Sequence, residues 1–118
     1  MDKVHLISGK GSSVVGTGVG GEYWHIYQGK KRVGKVFINV SDSASGPYPS
    51  IQIFINKVDQ GRGIGTLGYK LACAASKHKI IYANMRKSNI PSIKAAAKAG
   101  FKEDPSYSGR QYAMVYKK

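Results

Sequence analysis

Gln60-Gly61-Arg62-Gly63-Ile64-Gly65 is the stretch whose residue types and spacing bear most directly on chemistry. It follows an alternating apolar run, Ile51, Ile53 and Ile55, which predicts a strand. It leads into an Ala/Leu-rich segment that predicts a helix. Glycines at a strand-to-helix turn let the backbone approach a ligand closely, and the first turn of a helix offers N–H groups without intrahelical partners. That combination favours an anion, above all a phosphate or pyrophosphate.

Several nucleotide sites are excluded by what is missing. A P-loop needs G-x-x-x-x-G-K-[ST], and no Lys-Ser or Lys-Thr pair follows these glycines. Gly63-x-Gly65-x-x-Gly68 and Gly16-x-Gly18-x-x-Gly21 both match the dinucleotide spacing G-x-G-x-x-G. A Rossmann unit also wants an acidic residue about 20 positions on, and Tyr82 to Lys87 contains none. The Gly16 match sits in a Gly/Ser/Val-rich stretch with no helical pattern after it, as a chance match would.

The remaining spacing, Gln60-x-x-Gly63-x-Gly65 after a strand, resembles the acyl-CoA signature of the GNAT superfamily of N-acetyltransferases. Asn89-x-x-Ser92-Ile93 followed by Ala99-Gly100-Phe101 is similar to that family's N-x-x-A-I…L-G-F segment. The two motifs stand in the family's order and separation, and the resemblance spans Ile51 to roughly Glu103. It implies a GNAT-like α+β or α/β fold: a mixed, mostly antiparallel sheet with two main helices packed on it. It also implies direct transfer of an acetyl group from acetyl-CoA to an amine.

Carried over position by position, the resemblance lays the backbone of Ile53, Phe54 and Ile55 along the pantetheine arm. An N–H near Ile55 would polarise the thioester carbonyl. After Gln60, the N–H groups of Gly61, Arg62, Gly63, Ile64, Gly65 and Thr66 would hold the pyrophosphate, and Asn89 would contact the pantetheine. Such transfer depends first on positioning, then on an oxyanion contact, a base for the ammonium and a proton for the leaving thiolate.

The side-chain catalysts depart from the family pattern. Seven residues after Asn89, where many members carry a Tyr, stands Ala96; five residues before it, where some carry a Glu, stands Asn84. Asn84 can orient a water but cannot take a proton. Ser92, one helical turn before Ala96, is expected to face the same way and to reach the sulfur. Tyr107, between the last two predicted strands, could reach the acceptor. His25 and His78 are candidate bases by residue type, yet neither has an evident partner, and structural roles are expected for both.

The elements that must position these groups follow from pattern. Val4 to Ile7, Glu22 to Gln28, Lys31 to Val40, Ile51 to Asn56 and Lys79 to Ala83 read as strands, the second and third joined by a hairpin at Gly29-Lys30. Ser41 to Pro49 reads as a loop. Ile64, Leu67, Gly68, Leu71, Ala72 and Ala75 predict one apolar helix face, with Gly68 packed closely on the sheet. Pro91 in the first turn and Gly100 at the end bound a second helix. Phe101 to Glu103 and Gln111 to Tyr116 predict a final hairpin. The family usually places one or two helices between its first two strands; Ser8 to Gly21 is too short and glycine-rich, so the chain reads as a trimmed member.

The 118 residues form one expected domain, able to bury roughly two thirds of the unfolded surface. Hydrophobic residues make up 42%, which excludes a disordered tail. No apolar run approaches the roughly 20 residues of a membrane span. Met1 to Lys10 lacks a signal-peptide core, so a cytoplasmic location is expected. The single Cys73, inside a helical pattern, is expected to be a small buried apolar residue.

The chain carries 19 Lys+Arg against 6 Asp+Glu, formally +13. CoA phosphates use part of that excess, and an acidic partner or a nucleic acid would use the remainder. The expected function is N-acetyl transfer, with a small-molecule amine, a protein Lys or N-terminus, or an aminoacyl-RNA open as acceptor. The alternative is a catalytically weak acyl-CoA-binding module that acts by binding an acidic partner. A basic nucleic-acid-binding domain without cofactor would leave Gln60 to Gly65 unexplained.

Overall fold

A computed structural model describes residues 3–10, 19–107 and 109–118. The Gly16-x-Gly18 part of the second dinucleotide spacing, and most of the Gly/Ser-rich stretch around it, lie outside the described residues.

Alternation along the strands builds the sheet. Strands β1 (Val4–Ser8), β2 (Glu22–Gln28), β3 (Lys31–Ser43) and β4 (Gly46–Ile55) form an antiparallel meander. The 3₁₀ turn Lys57–Asp59 and helix α1 (Ile64–Ala75) cross to β5 (Ile80–Met85), which pairs parallel with β4. Helix α2 (Ile90–Lys98), β6 (Lys102–Glu103) and β7 (Tyr112–Lys117) complete a seven-stranded sheet in the order β1-β2-β3-β4-β5-β7-β6. The mixed, mostly antiparallel α+β arrangement and its two helices are as predicted.

Both helices contribute to a single core on one side of the sheet. Trp24 and Ile26 of β2, Val36 and Ile38 of β3, Ile51 of β4 and Ile81 and Ala83 of β5 are buried there. They cluster with Ile64, Tyr69, Ala72 and Cys73 of α1 and Ala96 of α2. Cys73 is wholly buried, and burial pushes its thiol up to about 12, in keeping with an apolar role. Among the described residues, no helix is long and apolar enough to cross a membrane.

Two expectations are corrected. Ser41 to Pro49 is not a loop: β3 continues to Ser43, and β4 begins at Gly46 across a two-residue turn. The Ser43 hydroxyl donates to the Gly46 carbonyl at 2.6 Å. Pro47 and Pro49 argue against a central strand, but they stand two residues apart, so both missing N–H groups fall on one side of β4. Along that segment the strand pairs only with β3, because its pairing with β5 is at Ser50.

The second correction concerns α1, which is rotated from the predicted stripe. Tyr69 and Cys73 are buried, whereas Leu67 is 43% exposed and Ala75 is exposed. The larger Tyr ring fills the space beside Phe101, 5.5 Å away between ring centroids, that the smaller stripe would leave open.

Gly68 behaves as predicted. A Cβ built there would lie 2.5 Å from Ile53 Cδ1 and 3.2 Å from Ile26 Cδ1. At its far end α1 is tied to β2, since the Ser76 hydroxyl donates to Glu22 at 2.5 Å. His78 Nε2 lies 2.8 Å from the Gly20 carbonyl, a structural placement for that ring. Gly68→Val should destabilise the fold by about 1–3 kcal/mol, the range for overpacking. An unchanged urea midpoint would show that α1 can move off the sheet without cost.

Candidate active site

The parallel strands β4 and β5 share one register pair, Ser50 with Tyr82. Past it, the end of β4 remains hydrogen-bonded to β3, with Ile53, Phe54 and Ile55 opposite Val36, Lys35 and Gly34. Among the described residues, its other edge has no strand partner there. A cleft of about 570 Å³ opens there, floored by Ile53, Phe54 and Ile55 and walled by the start of α1 and by α2.

The turn before α1 supplies an anion cradle. Gly61 and Gly63 both hold φ +80°, and a Cβ built on either meets nothing within 4 Å. L-residues rarely adopt that conformation, so glycine is required by the backbone, and the space beside it is left for a ligand. Gly63 is the N-cap of α1 without a side-chain cap, and its carbonyl accepts from the Leu67 N–H at 3.3 Å. The N–H groups of Ile64, Gly65 and Thr66 therefore lack intrahelical partners, at the positive end of the helix dipole. Lys94 and Lys98, one turn apart on α2, bring two cations to the same cleft.

Asp59 is an acid in this lining, 1% exposed. Its Oδ1 accepts from Lys31 at 3.0 Å and from Arg62 at 2.7 Å, so the local balance stays positive. Its Oδ2 is buried without a hydrogen-bond partner. The Gln60 side chain donates to the Ile55 carbonyl at 3.1 Å, which fastens the turn to the end of β4.

Of the sequence-predicted residues, Ile53, Phe54, Ile55, Gln60, Gly61, Gly63, Ile64, Gly65, Thr66, Asn89 and Ser92 all line this cleft. Arg62 does not, because its guanidinium is turned to Asp59. Gly65 also faces α2, where a Cβ built on it would meet Ala95 Cβ at 3.8 Å. Asn89 caps α2, accepting from the Ser92 N–H at 3.4 Å, which leaves its amide N–H groups for a ligand.

Asn84 and Tyr107 are not in the cleft lining. Asn84 is on the sheet face away from the helices, where its amide and the Tyr48 hydroxyl hydrogen-bond each other at 3.2–3.3 Å. Tyr48 also stacks on Tyr82, with ring centroids 4.1 Å apart. Burial raises the Tyr48 pKa, against the pull of its hydrogen bond with Asn84, and Asp104 and Tyr107 add to the rise. Tyr48 is therefore a neutral hydroxyl at working pH. The sequence reading missed this cluster; its one signal is the alternation Tyr48, Ser50, Gln52, Phe54, hidden by the two prolines.

No family model matches the sequence, and no curated protein matches it. Solved structures do match. The GNAT domain of S. lividans PAT superposes with a TM-score of 0.72 at 16% identity, over 86% of this chain and 65% of that one. AAC(6′)-Ib, solved with paromomycin and acetyl-CoA, gives 0.69 at 17%, over 83% and 65%. Mycobacterium smegmatis RimJ, solved with CoA-disulfide, gives 0.66 at 21%, over 82% and 53%. The chain has the GNAT fold. It spans less than two thirds of the length of each of these three proteins.

Within the GNAT fold, Ala96 is fully buried in the core, whereas Ser92, one turn earlier on the same helix, is half-buried in the cleft wall. A Tyr at position 96 would enter packed side chains and not the cleft. His25 is also outside the cleft lining; it packs edge-on to Tyr23 at 5.2 Å. Burial, with Arg32 nearby, lowers its pKa.

Ala96→Tyr should therefore cost at least the roughly 1–3 kcal/mol of overpacking and should not introduce a proton donor. A folded variant with unchanged stability and a cleft-facing phenol, seen by crystallography, would contradict this packing.

Proposed function

We propose that this protein is an acetyl-CoA-dependent N-acetyltransferase. The observation that carries the reading is the uncapped start of α1, with Gly61 and Gly63 at φ +80°, set at the open edge of β4 in a GNAT fold. The residues present suit a pyrophosphate joined to an amide-bearing arm. Backbone N–H groups and Lys94 and Lys98 meet the anion, and the unpaired edge of β4 offers strand-like hydrogen bonds to the amides. Acetyl-CoA, when bound, supplies the activated thioester.

In this reading Ile53, Phe54 and Ile55 orient the arm by their backbone, and an N–H near Ile55 faces the thioester carbonyl. Gln60 holds the turn in place, while Gly61, Arg62, Gly63, Ile64, Gly65 and Thr66 contribute N–H groups. Asn89 contributes its amide, and Ser92 offers a hydroxyl toward the sulfur. On the acceptor side, Asn84 and Tyr48 orient water and the amine, with Tyr107 nearby. None of these side chains is a strong base, so the amine must reach the site largely deprotonated. Asp104 is near enough to raise the Tyr48 pKa, but its Oδ1 accepts from both the N–H and the hydroxyl of Ser106.

Gly63→Val should abolish CoA binding measured by calorimetry, because it forces a branched side chain into the positive-φ cap and into the phosphate space. Retained affinity in a folded variant would sink the cofactor assignment. Ser92→Ala should lower kcat by about tenfold or less, below the range of a general acid.

Proton removal gives a separate test. With acceptor amines of different pKa, the rise of kcat/KM with pH should break at the pKa of each amine. A break that stays fixed between amines and disappears in Asp104→Asn would make Asp104 the base and overturn this mechanism.

A further inference from the structure

The sheet face away from the helices carries a row of rings. Strand pairing places His5 beside Tyr27, Tyr23 beside Phe37 and Lys35 beside Phe54 on that side. Tyr23, Phe37 and Phe54 stack in sequence, each pair 6.0 Å apart with planes 5° and 19° from parallel. His5 stacks on Tyr27 at 5.8 Å, and Tyr48 on Tyr82 at 4.1 Å. The row ends in an exposed ring: Phe54 is 52% exposed, although Phe37 behind it is buried.

Charge and polarity on this face are one-sided. Lys35 Nζ lies 5.4 Å from the Phe54 ring centroid, and Arg32 pairs with Tyr27 and stands near enough to His25 to lower its pKa. Exposed Gln52 is opposite Phe37, next to Phe54. From β1 to β5, the described residues that face this side include no carboxylate. Asp104 is beyond them, at the β6–β7 side, engaged with Ser106. The chain as a whole is formally +13.

We propose that this face binds single-stranded nucleic acid, with a base stacked on Phe54 and the adjoining phosphates met by Lys35 and Arg32. An exposed ring backed by further rings, with cations beside it and amide side chains interleaved, suits a planar base joined to an anionic backbone. A duplex keeps its base faces inside its own stack and cannot use the ring. A polycationic amine meets like charge. An acidic peptide would use the cations but gains nothing from an open, flat aromatic platform.

The test is fluorescence anisotropy with labelled single strands of about a dozen nucleotides. Ribo and deoxyribo strands form separate arms, beside an abasic strand of equal charge, a duplex and polyglutamate as competitor. No sample contains CoA, so the result is independent of the proposed acetyl transfer. At least one base-bearing strand should bind, with affinity that falls steeply between about 50 and 200 mM salt. The abasic strand and the duplex should bind roughly tenfold or more weakly. Phe54→Leu, which keeps an apolar side chain and removes the ring, should lose a similar factor, and Lys35→Ala should flatten the salt dependence. Equal binding of the abasic strand, or full affinity in Phe54→Leu, would reduce the interaction to charge and overturn the proposal. Displacement by polyglutamate at equal charge would overturn it in favour of an acidic protein. If Phe54→Leu fails to fold, the abasic arm decides alone.

Discussion

One side of β4 loses its strand partner after Ser50, and backbone groups left without partners are costly unless water or a ligand meets them. Ile53, Phe54 and Ile55 are nevertheless held flat and extended, because β3 pairs their other edge. Gly34 contributes to that hold: a Cβ there would strike the Phe54 carbonyl oxygen, so only glycine lets β3 approach so closely. The cleft is thus an interrupted sheet, kept rigid from behind.

The helix that completes the site depends on the same strand. Gly68 lets α1 settle against Ile53, one of the residues whose backbone floors the cleft. That close packing helps to fix floor and anion cradle relative to each other. Asp59 fastens the intervening turn from below through Lys31 of β3 and through Arg62, and Gln60 ties it to Ile55. Arg62 is the cost of this arrangement, since its charge is drawn to Asp59 and away from the cleft.

What the sequence disclosed was local. The strand-to-helix glycine turn and the hairpin at Gly29-Lys30 each depend on neighbours within a few residues, and each appears where expected. Errors came where a distant contact decides. Tyr69 displaces Leu67 from the core because Phe101, far along the chain, offers it a ring to pack on. Ala96 is covered by the core while Ser92, one turn earlier, reaches the cleft, a difference set by what α2 packs on and not by spacing along it. Tyr48 and Asn84 are brought together by the β4–β5 crossover, and nothing near either residue announces the other. Ser, Gly and Pro disguised a strand at Ser41 to Pro49, because prolines are tolerated in a strand where one side has no partner.

The interrupted pairing also has a thermodynamic side. Among the described residues, the meander β1–β4 and the C-terminal strands β5–β7 are joined across the sheet by one register pair. A molecule that hydrogen-bonds along the free edge of β4 would act as an added strand and stabilise the protein by mass action, in proportion to the logarithm of its concentration over its dissociation constant. The apparent melting temperature of this chain is thereby a gauge of how much of that molecule is present.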